Sequence, residues 1–308
     1  MFLSQNFQTK AAFSYYLLGS FVVIIFNFIG QLPLMLAASY FNTGPVASSD
    51  IMEIFSGIPK NTLLFLMLLP FAISLLGLWL VVVKLHEQSF RSIISSRAKV
   101  DWRRVGFVFL LWGAMICGFT VVDYFMSPED YEWNFKLLPF LGMFAVGIIM
   151  FPLQTTFEEL LFRGYLLQGF ARLTKNVWLP LVLTSVLFGS LHFFNPEVDK
   201  LGNWLLLYYI GTGLFLGLIT IYDQGTELAL GFHAANNFFS SILVTASWTV
   251  FETHAILTDT SEPQMDFEVF LPLLVFFPLL FFIFGKRYNW TFSLQPLFKN
   301  YNENSTFF

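Results

Sequence analysis

Phe157-Glu158-Glu159-Leu160-Leu161-Phe162-Arg163 sets two adjacent carboxylates and a guanidinium inside a long apolar run. A charge at membrane depth costs a few kcal/mol or more, so such residues mark function by default. The surrounding composition puts the stretch in a membrane. Of 308 residues 56% are hydrophobic and 12% charged, with mean hydropathy +0.67. A soluble domain carries about 25% charge. The net charge of -4 leaves no nucleic-acid footprint. Cys117 is the sole cysteine, so no internal disulfide forms.

Apolar runs of about 20 residues read as transmembrane helices. Eight are expected: 13–38, 62–83, 105–122, 137–170, 177–194, 204–222, 228–250 and 269–284. The fold class is therefore all-α, a polytopic membrane bundle. Its expected parts are three N-terminal helices (1–136), a core (137–250), and an outer loop, last helix and tail (251–308). Alternation from the basic loop Lys84–Arg104 puts 12 of the 15 basic residues other than Arg163 on one side, Lys10 and Lys299 included. That asymmetry predicts both termini in the cytoplasm, and the setting expected is a bacterial plasma membrane. The outer loops 123–132 and 252–268 are acidic. Loop 84–104 itself reads either as a helix lying on anionic lipid or as a solvated linker. Gly213 and Gly217 have the spacing that lets two helices approach closely, a packing feature.

Helical spacing sorts the polar residues. Glu159 and Arg163 stand at i,i+4 and can pair. Glu158 points about 100° away, with Phe162 at its own i+4 position, and is the reactive candidate; the opposite assignment, with Glu159 reactive, is the alternative that mutation would exclude. Phe188 and His192 share a face, as do His233 and Asn237. His86 and His254 read as surface residues. A carboxylate, an imidazole and a donor pair suffice for hydrolysis of an amide by water. Glu158 and His192 would hold and deprotonate the water. His233 and Asn237 would stabilise the oxyanion.

The three motifs, Glu158-Glu159-x-x-x-Arg163, Phe188-x-x-x-His192 and His233-x-x-x-Asn237, resemble in order those of the CPBP family of intramembrane proteases. That family includes the type II CAAX prenyl endopeptidases and bacteriocin-processing proteins. The resemblance spans about residues 137–250. It implies a glutamate-dependent endopeptidase with catalytic Glu158, His192, His233 and Asn237, supported by Glu159, Arg163 and Phe188. The partners it implies are membrane lipid and a peptide or membrane-protein substrate, prenylated or not. No cofactor is needed; the alternative is a zinc ion on Glu158, His192 and His233. Two rival functions fit buried charges in a membrane: a proton-coupled transporter and a non-catalytic scaffold.

One tension stands out. At 1.5 Å per residue, Glu158 and His192 lie about 20–24 Å from the basic surface and His233 only about 10 Å. They converge only if a helix boundary lies elsewhere or the Tyr222–Glu227 connection dips into the bundle, where irregular backbone survives beside a wet cavity.

Overall fold

The computed structural model describes residues 2–3, 12–41, 54–55 and 57–298. Lys10 and Lys299 lie outside them. In chain order the principal helices are α1 (Phe13–Phe41), α2 (Lys60–Leu80), α3 (Trp102–Met126), α4 (Leu137–Glu159), α5 (Leu167–Thr174), α6 (Trp178–Ser190), α7 (Pro196–Leu201), α8 (Leu205–Asp223), α9 (Glu227–Leu243) and α10 (Phe277–Arg287). A π-helical segment, Leu160–Leu166, joins α4 to α5, so the chain runs helically from Leu137 to Thr174. Among the described residues six helical stretches are long and apolar enough to cross a membrane. The α6 helix is apolar but shorter. The α9 helix ends at Leu243, where the sequence suggested Val250, because Val244–Thr245 begins a strand.

The chain is a predominantly helical membrane bundle with a few short strands. Its lipid-facing sides are Phe-, Leu- and Ile-rich, as in Phe21, Phe28 and Leu36 of α1. The helix α1 packs on α2, and α2 packs on α4; α9 fills the space between α3 and α4. Small residues allow the close approaches. A methyl on Gly231 of α9 would collide with the backbone oxygen of Val105, the fourth residue of α3. Gly213 and Gly217 of α8 meet Ser185 and Leu181 of α6, so the small-residue pair packs these two helices. At the acidic end a short sheet ties the two acidic loop regions together. Its strands are β1 (Tyr131–Trp133), β2 (Val244–Thr245) and β3 (Leu257–Asp259), with β3 central, antiparallel to β1 and parallel to β2.

The basic loop forms no long helix, and part of it is buried in the protein while Lys84, Lys99 and Arg103 are exposed. It folds back over the bundle with Ser92, Ile93 and Ser95 buried and a single 3-10 turn at Phe90–Ile93. His86, expected at the surface, is 4% exposed, with Nε2 2.9 Å from the Tyr165 hydroxyl. The reason is that this loop supplies the partners for a buried turn. Between α8 and α9, Asp223, Thr226 and Glu227 are all buried. The Thr226 N–H donates to Ile94 O (2.7 Å), and Ser95 bridges to Gly225. Arg97 donates to Glu227 and to Asp223, each at 3.1 Å, and Arg104 pairs with Asp223. The Tyr222–Glu227 connection therefore sits inside the protein. That is one of the two conditions under which the residue count lets Glu158, His192 and His233 meet.

Candidate active site

The α4 helix brings Glu158 and Glu159 to its C-terminal end, where the hydrogen-bonding pattern changes to π. Such segments recur at functional sites. Arg163, 1% exposed, donates to Glu159 Oε1 at 3.0 Å, the pair expected from the spacing. Its other nitrogen donates to Gly213 O at 3.4 Å, made reachable because α8 has no side chain there. The guanidinium also lies 4.2 Å from the centre of the Phe188 ring. Two acceptors and an aromatic face thus hold a cation in an otherwise apolar setting.

His233 stands between the two carboxylates. Its Nδ1 is 2.7 Å from Glu159 Oε1, and its Nε2 is 3.6 Å from Glu158 Oε2. The sequence reading left Glu158 to face His192; in the structure its Oε2 faces His233, and Glu159 serves both Arg163 and His233. Adjacent residues on a helix diverge by about 100°, and one imidazole fits into that angle with a nitrogen toward each carboxylate. A carboxylate accepts only, so Nδ1 carries the proton in the bond to Glu159.

His192 lies just past the end of α6. Its Nδ1 donates to Phe188 O at 2.9 Å, which leaves Nε2 as the basic nitrogen of the neutral ring. The ring is clamped on two sides. Phe188 is 4.8 Å away between centroids, and Tyr209 of α8 stacks on it at 4.1 Å and 19°. Phe188 also contacts His233 edge-on at 5.9 Å. This one ring therefore spaces His192, His233 and Arg163. Asn237, one turn along α9 from His233, donates to Gln154 Oε1 at 3.2 Å, and Gln154 donates to Glu158 Oε1 at 3.2 Å.

All seven residues singled out by spacing thus fall in one neighbourhood, contributed by α4, the π segment, α6 and α9. Sequence reasoning missed Gln154, which sits four residues before Glu158 and was accessible to the same i,i+4 argument. It also missed Tyr209, for which the sequence carries no signal. Among the described residues no three His, Cys, Asp or Glu side chains are grouped to hold a metal ion. The set contains a carboxylate beside an imidazole, a second imidazole whose Nε2 is not used in the bond to Phe188, and a carboxamide donor. Groups of these kinds can take up and release protons and donate hydrogen bonds.

The comparisons with known proteins are consistent in kind. A family model described as Rce1-like, type II CAAX prenyl endopeptidase, matches residues 138–239, the interval that holds all these groups. A curated protein of Bacillus subtilis (strain 168), described as uncharacterized protein YyaK, is 35% identical over 203 residues. That alignment covers 65% of this chain and 67% of the relative. No solved structure gives a match.

Proposed function

Because the chain belongs to the Rce1-like family of type II CAAX prenyl endopeptidases, we propose that it is a glutamate-dependent intramembrane endopeptidase. The observation that carries this reading is His233 bridging Glu158 and Glu159 beside Arg163. The four groups sum to zero charge when one proton is held between Glu158 and His233. A balanced, buried set of this kind tolerates the interior and can still exchange that proton with a substrate.

In the proposed reaction Glu158 and His192 Nε2 hold a water molecule against the scissile carbonyl. As the water oxygen bonds to carbon, its proton passes to Glu158 or His192. The carbonyl oxygen gains the negative charge, and the His233 and Asn237 N–H groups are the donors that stabilise it. The proton then moves to the amine nitrogen as the C–N bond breaks. Glu159, Arg163 and Phe188 hold His233 and His192 in place. No metal takes part in this scheme; activity retained after exhaustive chelation supports it, and activity lost and restored by zinc refutes it.

The substrate proposed is a membrane-associated peptide or protein, with a prenylated C-terminus the form suggested by the family. The orientation proposed puts both termini and loop 84–104 in the cytoplasm of a bacterial cell. The deciding experiment compares membrane peptides from cells carrying the wild type and Glu158→Gln. Uncleaved C-terminal segments that accumulate only in the variant support the peptidase. A Glu158→Gln variant that processes every peptide as the wild type does overturns it.

A further inference from the structure

The hydrogen bonds around Asn237 continue beyond the groups used so far. The Trp112 indole N–H of α3 donates to Asn236 Oδ1 at 3.2 Å. Asn236 Nδ2 donates to Asn237 Oδ1 at 3.3 Å. Asn237 Nδ2 donates to Gln154 Oε1, and Gln154 Nε2 donates to Glu158 Oε1, both at 3.2 Å. Three side-chain amides are thus joined head to tail between an indole and a carboxylate.

The two ends fix the sense of the row. An indole can only donate, and an ionised carboxylate can only accept. Turning any one of the three amides over would set N–H against N–H on one side and oxygen against oxygen on the other. Carboxamide orientation is ordinarily a soft choice between two similar shapes; here it is determined. Trp112 is itself held, 3% exposed and stacked on Phe232 at 4.7 Å. Gln154 is 6% exposed, so water does not compete freely for its amide.

We infer that Gln154 is a positioning residue: it ties the Asn237 carboxamide to the Glu158 carboxylate and, backed by Asn236 and Trp112, fixes how Asn237 presents its N–H groups. One Asn237 N–H is committed to Gln154, and the second is thereby aimed for a substrate oxygen. The same link holds one oxygen of Glu158, leaving Oε2 to work with His233 and water. The inference rests on the proposed peptidase reading for its consequence in turnover; the row of amides itself does not.

The test uses the full chain in liposomes, with a quenched fluorescent peptide ending in a farnesylated CAAX sequence as probe. Gln154→Leu is expected to lower kcat roughly 10- to 100-fold with KM within about twofold, as for residues that orient reacting groups. Gln154→Glu keeps the shape but can both donate and accept only while its carboxyl is protonated. Its activity relative to the wild type is therefore expected to rise as pH falls, a trend that a packing role would not produce. A substrate-free readout is the Trp112 indole N–H resonance, assigned by its loss in Trp112→Phe. Cutting the row at Gln154, on another helix, should shift it. Wild-type kcat in Gln154→Leu, a flat activity ratio in Gln154→Glu, or an unmoved indole resonance overturns the inference. Glu158→Gln runs in parallel. If that variant cleaves the probe, the peptidase reading falls; if it is inactive while Gln154→Leu is normal, only the role of Gln154 falls.

Discussion

Arg163 is the residue on which the site's charge balance turns. Replacing it with Met leaves Glu159, fully buried, with only His233 as partner. Removing one member of a buried ion pair costs about 3–5 kcal/mol, so Arg163→Met should lower stability by that order in detergent unfolding. Adding Glu159→Gln should return part of the loss, because the stranded charge is gone. His86 makes a separate, pH-dependent contribution. Its burial, with a minor push from Arg172 against a backbone hydrogen bond at Tyr15, holds its pKa down at about 4. The folded state therefore favours the neutral ring. The associated stability is present above the unfolded value of about 6.5 and is lost as pH falls from there through about 4. Melting temperature should drop across that window, and His86→Phe should flatten the drop. At this scale the sequence was informative where spacing on one helix sufficed, as for Glu159 with Arg163 and Phe188 with His192. It was silent on contacts between helices. Nothing in the chain pairs His233 with Glu158, stacks Tyr209 on His192 or buries His86 before the helices are docked.

The helices meet through glycines whose replacement tests the docking. A methyl at Gly231 collides with the Val105 carbonyl, which is backbone and cannot turn aside. Gly231→Ala should push α9 from α3 and cost about 1–3 kcal/mol. Because His233 lies two residues further on, the variant should also lose turnover beyond its loss of stability, seen as reduced kcat in protein that remains folded. The elements themselves were legible from hydropathy. The long helical run from Leu137 to Thr174, the small-residue face of α8 and six of the eight expected spans follow from apolar length and spacing; the stretches 177–194 and 228–250 form the shorter helices Trp178–Ser190 and Glu227–Leu243. The π segment did not, since the same apolar residues suit either hydrogen-bonding pattern.

On the scale of the whole molecule, loop 84–104 closes one end of the bundle over the buried α8–α9 turn. Arg97 is the pin, reaching Asp223 and Glu227 at once. Arg97→Ala should leave Glu227, fully buried, with the Asp101 N–H as its remaining polar contact, at a cost of about 3 kcal/mol. Amide exchange should then quicken together in residues 89–104 and 222–227, while α1 and α2 exchange as before. A uniform increase along the chain would argue that the loop is no separate unit. The membrane character of the protein was clear from composition, but this closure was not. A run of Lys and Arg looks the same whether it faces water, lipid headgroups or buried carboxylates. The distinguishing carboxylates, Asp223 and Glu227, lie more than a hundred residues away.

The π segment Leu160–Leu166 has a consequence best put in genetic terms. Each of its turns encloses one residue more than an α-helical turn, so the gene carries, in effect, a tolerated insertion directly after the two glutamate codons. Deleting a single codon there would restore a regular helix and leave the hydropathy unchanged. It would also shift Arg163 from the i+4 to the i+3 position relative to Glu159, about 100° around the helix, while the helix after the segment, its extra residue removed, kept its place. A reading frame that scores as an intact membrane protein would then encode an altered site.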